Sequence, residues 1–366
     1  MRVALISLEP WDGVWRRNQH LSAELISQGL VESLVFVEPL LRNPQRGGRL
    51  EVPAGVEVCH PRLVAPKRMG GLRMAGARLR RSVLRDIDVL WINDPALGVH
   101  CLAAGTPAIY DVTDDWRTFS FPSRITRRIV RAEDRLARRA ATVVCSRSLR
   151  ERWQDRYAVL APVVHNGIDV AAWRDASPVA LPGTAPHVGY IGTLHADRLD
   201  VDLVIDVANE PAVGTVHLVG PDALDDASRR RIAGHPGVIL HGAVPAPEVP
   251  GWTMAMDVLI CPHRINDFTL SLDAIKAREY VASDRPVVAT PTSGFQYAEQ
   301  SGELTVRTCS TNEFAGLVAT LVDSPRTGAR PDVAEMSWSA RAREFFDHGL
   351  APALATPARA RRKAVA

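Results

Sequence analysis

Lys276 and Glu279 stand three residues apart in a stretch, 270–282, whose apolar spacing predicts a helix. They share a face with Leu272 and Ile275, which should meet a sheet, so both charges fall toward the buried side. The helix follows a short apolar run, 258–261, that reads as a strand, with His263, Arg264, Ile265 and Asn266 in the connection. A carboxylate in that place can accept hydrogen bonds from two vicinal hydroxyls, as on a ribose, and an ammonium beside it suits a diphosphate. The plainer reading is a surface ion pair on one helix face, worth roughly a few tenths of a kcal/mol. Scarcity argues against it: Lys67, Lys276 and Lys363 are the only lysines, every other cation being arginine.

Glycine-rich nucleotide loops are missing. After the first strand, 3–7, comes Leu8-Glu9-Pro10-Trp11-Asp12-Gly13-Val14-Trp15, with one glycine where G-x-G-x-x-G needs three. There is no P-loop. A nicotinamide-dependent enzyme and a P-loop NTPase are therefore disfavoured. Gly13 would still let the backbone approach a ligand just ahead of a helix N-terminus; otherwise it is a plain turn glycine.

The elements that must position these residues come in two series. Short β-branched runs alternate with longer amphipathic ones, the pattern of βαβ units and parallel sheets. In the first half the expected strands are 3–7, 34–37, 56–59, 89–92, 108–112, 142–145 and 163–165, with helices at 15–28, 71–85, 123–139 and 148–152. A turn at Asn166-Gly167-Ile168-Asp169 and a Pro, Gly and Ala-rich stretch, 177–186, read as a linker. The second half starts over with strands at 187–191, 216–219, 238–240, 258–261, 287–289 and 304–306, and helices at 200–208, 223–233, 270–282 and 311–321. One more helix is expected at 337–350, and the Ala, Pro and Arg-rich tail, 351–366, should be disordered.

The stretch Lys276-Ala-Arg-Glu279-Tyr280-Val-Ala-Ser-Asp-Arg-Pro286-Val-Val resembles the nucleotide-sugar signature of GT-B glycosyltransferases. The nearest group is the retaining family-4 type and its cell-wall-polysaccharide, teichuronic-acid-type relatives. Other matching pieces, in order, are Trp11-Asp12-Gly13-Val14-Trp15-Arg16-Arg17-Asn18-Gln19-His20, Tyr110-Asp111-Val-Thr-Asp114-Asp115-Trp116, His165-Asn166-Gly167-Ile168-Asp169, Gly189-Tyr190-Ile191-Gly192 with Arg198 and Asp200, and Val219-Gly220-Pro221. The resemblance spans nearly the whole chain. It implies an α/β protein of two Rossmann-like, doubly wound domains facing across a cleft. The implied division is an acceptor-side domain over 1–165, a linker over 166–186, a nucleotide-sugar domain over 187–333, and a helix over 334–350 crossing back to the first domain.

That resemblance also assigns roles. Glu279 would bind the ribose hydroxyls. Arg198 would meet the diphosphate with Lys276 or Arg264, and Gly192 would lie under the nucleotide. Asp114 or Asp115 would sit near the reacting sugar, where a carboxylate can orient an acceptor or move a proton, although either would also serve as a plain helix cap. Trp11, Asp12 and Trp15 would line the acceptor side, or belong to the core. One departure stands out. Many family-4 members carry a second glutamate eight positions before the first; here that position is Ser271, which leaves donor-sugar contacts drawn from that pattern in doubt.

The rest of the composition narrows partners. Five scattered cysteines, with no CxxC or His/Cys cluster, fit a reducing cytoplasm and suggest no metal site. The triplets Asp86-Ile87-Asp88 and Asp200-Val201-Asp202 are discounted as chance, so no metal and no cofactor beyond the nucleotide-sugar substrate is expected. His60, His217 and His241 look isolated near strand ends and read as satisfied core or rim residues. A net charge of +3 implies no nucleic acid, and no run approaches the roughly 20 apolar residues of a membrane span. Between Glu57 and Asp86 there is no acid but many arginines, a patch suited to peripheral contact with the inner face of a membrane or with a lipid-linked acceptor; the plainer alternative is a solvated arginine face. A glycan or a small molecule is an equally open acceptor. Rival readings are a nucleotide-sugar epimerase on the same architecture and an inactive sugar-nucleotide-binding partner protein.

Overall fold

The computed structural model describes residues 1–40, 51–63, 65–103, 105–119, 121–302, 305–323 and 333–355. The chain divides into two compact units, one of residues 1–167 with 338–366, the other of 168–337.

The N-terminal unit is built on six parallel strands: β1 Arg2–Ile6, β2 Ser33–Val37, β3 Val56–Cys59, β4 Val89–Ile92, β5 Ala108–Val112 and β6 Ala141–Val144. They lie in the order β3-β2-β1-β4-β5-β6. Helices α1 Arg17–Ser27, α2 Gly71–Ser82, α3 Pro95–Cys101 and α4 Ser123–Ala137 lie between them, and α5 Arg147–Tyr157 follows the last strand. β4 and β5 are buried along their whole length, which is why they read as unbroken apolar runs: helices cover both faces of a parallel sheet. Edge strand β3 is only partly buried and keeps Glu57 in its middle.

The C-terminal unit repeats the plan with β7 His187–Ile191, β9 Thr215–Val219, β11 Val238–Gly242, β12 Val258–Cys261, β13 Val287–Ala289 and β14 Val306–Thr308, in the order β11-β9-β7-β12-β13-β14. A two-stranded pairing of β8 Leu194–His195 with β10 Asp222–Ala223 sits beside it. Its helices are α6 Val170–Asp175, α7 Val201–Ala208, α8 Asp226–Ala233, α9 Val249–Ala255, α10 Asp267–Ser271, α11 Ile275–Ala282, α12 Ser293–Gln300 and α13 Thr311–Leu321. Each unit is thus a doubly wound, Rossmann-like domain whose strand order reverses between its first and fourth strands.

The last elements, α14 Trp338–Phe345 and α15 Ala351–Ala355 with one wide turn between them, belong to the N-terminal unit. Trp338 stacks on His20 of α1 with ring centroids 4.7 Å apart, and Gln28, which caps the end of α1, donates to the Ser339 carbonyl at 2.9 Å.

Several expected elements differ. The helix expected over 270–282 is two helices, because Leu272 and Ala274 adopt extended backbone and the Leu272 carbonyl accepts from Gly294 N–H. Leu272 therefore does not share a helical face with Lys276. Asp273, between them, forms a buried pair with Arg278 at 2.9 Å. The expected linker holds α6, capped by Asp169, and 148–152 grows into α5, capped by Ser146. The strand expected at 163–165 is a single bridge from Val163 to Val144. α3 went unread although Asp94 caps it and Pro95 opens it, both ordinary start signals. In the tail, 351–355 is helical and 356–366 lies outside the described residues, as does Leu304.

Candidate functional site

Where strand order reverses, the chain leaves two neighbouring strands in opposite directions and opens a crevice at their carboxyl ends. In the C-terminal unit this point lies between β7 and β12. The chain leaves β7 through Gly192, whose φ of +146° disfavours any side chain. A Cβ there would come within 2.7 Å of Lys276 Nζ, so the ammonium lies directly against bare backbone. Gly220, leaving β9, has φ +145°, and a Cβ on it would meet the Gly192 carbonyl at 2.1 Å. The two turns stack with no room for a side chain.

Lys276 stands in the first turn of α11, and its Nζ lies 5.1 Å from the centre of the Tyr190 ring. Tyr190 is held by donating its hydroxyl to the Thr193 carbonyl at 3.2 Å. Arg198 lies over the Phe268 ring at 4.8 Å, and its Nε is buried without a hydrogen-bonding partner among the described residues. His263, leaving β12, is 3% exposed and its Nδ1 is likewise unpartnered. Burial, then Lys276, Arg198 and His195, push the His263 imidazole down to about 3, so it is neutral at neutral pH. Burial raises the Glu279 carboxyl above its usual range, against the pull of the Lys276 ammonium.

Of the residues expected here, the structure thus brings together Gly192, Lys276 and Arg198, with Glu279 on the same helix as Lys276. Arg264 is exposed. Its N–H donates to the Arg198 carbonyl at 2.7 Å and its Nε to the Leu199 carbonyl at 3.2 Å, so it steadies the turn that carries Arg198. Two cations and two unpartnered ring or guanidinium nitrogens at one crevice suit phosphate oxygens, and a carboxylate one helical turn along suits hydroxyls. Tyr190 and His263 had no role in the sequence reading. The cue for His263 was its place directly after Pro262 at the end of a strand.

The reversal point of the N-terminal unit lies between β1 and β4 and has a different character. Asn18 Nδ2 donates to Ser7 Oγ at 2.9 Å and Asn93 Oδ1 at 2.8 Å, lacing α1 to the ends of both strands. Glu9 follows β1. Its Oε2 is buried with no hydrogen-bonding partner among the described residues, and burial raises its carboxyl to about 7, with Asp114 adding to the rise and Arg16 opposing it. Asp114 is partly buried at the end of β5 and accepts from Thr113 Oγ1 at 3.1 Å. Asp115 is tied to Arg152 at 2.9 Å and Arg156 at 3.5 Å; burial would raise it, but those arginines hold it below the usual carboxylate range. Asp115 therefore anchors α5, and Asp114 is the member of the pair that faces Glu9 electrostatically.

Two residues beyond Glu9 in the chain, Trp11 packs edge-on against Trp15 at 5.6 Å and Phe36 at 5.0 Å, while its Nε1 is buried with no hydrogen-bonding partner among the described residues. Asp12 accepts from Val14 N–H at 3.0 Å and Arg16 Nη1 at 3.2 Å, and Gly13 between them is exposed. Glu9 was missed in sequence; an acid immediately after the first strand is the signal that marks it.

Three further residues need correction. His217 and His241 are not isolated. His217 lies 3.0 Å from His187 and 2.8 Å from His241, in a chain crossing β7, β9 and β11, and burial pushes its imidazole down to about 4. His60 pairs closely with Glu38. Both acidic triplets have local duties: Asp200 caps α7 and Asp202 pairs with Arg231, while Asp88 accepts from Arg2 N–H.

Against known proteins, residues 11–172 match the model of glycosyltransferase family 4, and residues 185–324 match that of glycosyl transferases group 1. Among curated proteins, a teichuronic acid biosynthesis glycosyltransferase of Bacillus subtilis strain 168, TuaH, is 27% identical over 218 residues. That match covers 55% of each chain, so this chain spans about half the length of the curated relative it matches. Similar solved structures include sucrose-phosphate synthase of Thermosynechococcus elongatus, 16% identical with a TM-score of 0.65 over 96% of both chains. The lipopolysaccharide-biosynthesis glycosyltransferase WaaG is 12% identical with a TM-score of 0.62, over 100% of this chain and 99% of its own. Anabaena HepE, solved with UDP-glucose, is 16% identical with a TM-score of 0.60 over 97% of both chains.

Proposed function

Because the chain belongs to the glycosyltransferases of GT-B fold, we propose that it transfers a sugar from a nucleotide-activated donor to an acceptor hydroxyl. The observation that carries this reading is the meeting of Lys276, Arg198 and the unpartnered His263 nitrogen around bare Gly192, at the reversal point of the C-terminal sheet.

In this reading the diphosphate lies against Gly192. Lys276 and Arg198 stabilise the charge that gathers on it as the sugar leaves, which is electrostatic work that needs no metal. Glu279 accepts the two ribose hydroxyls. The donor is the substrate and no further cofactor is involved. HepE, a structural neighbour, was solved with UDP-glucose, which favours a UDP-hexose among candidate donors and a hexosyltransferase activity. Retention of anomeric configuration is part of this reading, and the match to glycosyltransferase family 4 favours it.

The N-terminal unit takes the acceptor at the end of β1 and β5. Asp114 and Glu9 orient its hydroxyl, and Trp11, Asp12 and Trp15 form the surrounding wall. The kinship with TuaH favours a glycan or lipid-linked sugar of polysaccharide biosynthesis as acceptor, and with it an enzyme working from the cytoplasm beside a membrane. No helix among the described residues is long and apolar enough to cross one.

Thermal-shift screening across UDP-, GDP- and dTDP-sugars tests the donor site. One donor class should raise the melting temperature, and Glu279→Ala should abolish that rise. An undiminished rise in the variant would remove Glu279 from the site.

A further inference from the structure

Two walls of the N-terminal unit carry charge of one sign on the sides that face each other. A groove of about 550 Å³ runs between α2 and α4 over α3, and every ionisable side chain lining it is basic. Lys67, Arg68 and Arg73 form one wall, and α4 contributes five arginines to the other. The walls are joined where Arg128 donates to the Lys67 carbonyl at 3.3 Å. The sequence had shown only the first wall. α4 buries Ile129, Ala132 and Leu136 against the core, so its arginine face is what the fold leaves outside.

Topology fixes which edge of the sheet this faces. In a parallel α/β unit each helix begins at the carboxyl edge of the strand before it, so α2 and α4 both begin at the edge where β1 and β4 end. Side chains that folding leaves in water collect there too. Met69 is 69% exposed, Met74 and Ile125 are each 47% exposed, and Phe121 is 37% exposed. Phe121 also ends a stacked series, lying 5.2 Å from Phe119, which lies 5.1 Å from Trp116.

A soluble polyanion needs only the cations. Cations ringed by unburied methionine, isoleucine and stacked aromatic side chains suit the headgroup layer, where phosphates take the charge and acyl boundaries take the apolar tips. We propose that this edge of the N-terminal unit docks on an anionic lipid bilayer, the groove cations holding lipid phosphates while Met69, Met74, Ile125 and Phe121 enter the interface. The docking rests on the reading of an enzyme that works beside a membrane, and adds which surface does so. It would hold the acceptor end, with Glu9 and Asp114, toward the bilayer from which a lipid-linked acceptor would come.

Sedimentation of the full chain with vesicles tests it. Phosphatidylcholine vesicles containing phosphatidylglycerol should bind the protein, pure phosphatidylcholine should bind it far less, and added salt should release it. Arg127 and Arg131 are exposed, so Arg127→Gln with Arg131→Gln should leave the fold intact. At roughly fivefold for each cation, the pair should weaken vesicle binding about 25-fold. Ile125→Ser with Met69→Ser should weaken it while leaving retention on soluble polyphosphate unchanged. The melting-temperature rise given by a nucleotide sugar should survive in both double variants, keeping docking separate from donor binding. If the wild type ignores anionic vesicles, docking and the membrane reading both fall. If vesicle binding ignores both double variants, the groove is wrong and another face does the docking. If polyphosphate competes fully and the Ser variants bind vesicles normally, the groove is a polyanion site and the bilayer proposal is overturned.

Discussion

The two units share one strand order, yet their reversal points are opposites. In the C-terminal unit the chain leaves its first strand through a bare glycine turn with Lys276 beneath it and Arg198 and His263 nearby. In the N-terminal unit it leaves through Glu9, whose carboxyl lies within the field of Asp114. The same geometry that presents backbone and side chains to a ligand is furnished with cations in one case and carboxyls in the other. Fold alone therefore does not assign the chemistry; the side chains planted at the equivalent positions do. A cationic crevice suits a diphosphate, and an acidic one suits hydroxyls.

Each unit also buries an arginine–aspartate pair, Arg17–Asp111 and Arg278–Asp273, and removing the aspartate from the N-terminal one should have the largest effect. Arg17 binds Asp111 through Nε and Nη2, each at 3.0 Å, and reaches the His165 carbonyl at 3.2 Å. Asp111→Ala would leave the Arg17 guanidinium buried without its counter-charge, so a loss of about 3–5 kcal/mol in stability is expected. Chemical denaturation measures it. A loss below about 1 kcal/mol would mean that Arg17 finds other partners and that this pair does not hold α1 beside β5.

Next in size is the donor crevice. Arg198→Ala and Glu279→Gln should each weaken the best nucleotide sugar about tenfold to 100-fold, as expected for hydrogen bonds to charged groups. Glu9→Gln, in the other unit, should leave donor affinity unchanged. Calorimetric titration of the three variants sharpens the contrast between the crevices. Equal losses in all three would erase it.

How much of this was legible beforehand follows the same division. The alternation of apolar runs and amphipathic stretches revealed two doubly wound halves, since buried parallel strands such as β5 are apolar throughout. Lys276 and Glu279 stood out through their spacing and the rarity of lysine. What stayed hidden depends on backbone that no periodicity reports. The break at 272–274 is a local choice made by the Asp273–Arg278 pair and the contact with Gly294, so a continuous helix looked natural. Glu9 looked like one loop acid among many, because only the folded chain takes its Oε2 out of water. The arginines between Glu57 and Asp86 allow a solvated face as the plainer reading, and those of α4 carry no signal of their own until the fold sets the two walls across from each other.

A smaller effect separates the glycines of the donor end. Gly192→Ala would bring a methyl to 2.7 Å from Lys276 Nζ, and a flexible ammonium can move away. Its backbone strain should cost about 1–2 kcal/mol, and the displaced ammonium should lower donor affinity severalfold. Gly220→Ala instead sets a methyl against a carbonyl at 2.1 Å, and backbone cannot swing aside. It should impair folding first. Melting temperature and donor titration, compared for the two variants, distinguish these outcomes; equal melting temperatures would count against the stacked-turn account.

The smallest expected effect reads the acidic crevice through pH. The Glu9 carboxyl rises from 4.5 to about 7 on folding, chiefly through burial. Its native state therefore holds a proton that the unfolded chain releases near 4.5, so folding is favoured at low pH and loses that advantage as pH climbs from about 4.5 to about 7. Discounted for partial exposure, the loss is on the order of 1 kcal/mol. Glu133, buried beside Tyr110, also rises to about 7 and contributes a slope of the same sign. Glu9→Gln should thus leave the profile shallower without flattening it, and Glu133→Gln should do the same without touching the reversal point. Melting temperatures taken across that pH range decide the matter. If Glu9→Gln reproduces the wild-type slope, the Glu9 carboxyl titrates as it does in the unfolded chain, and the N-terminal crevice is anionic over most of that pH range.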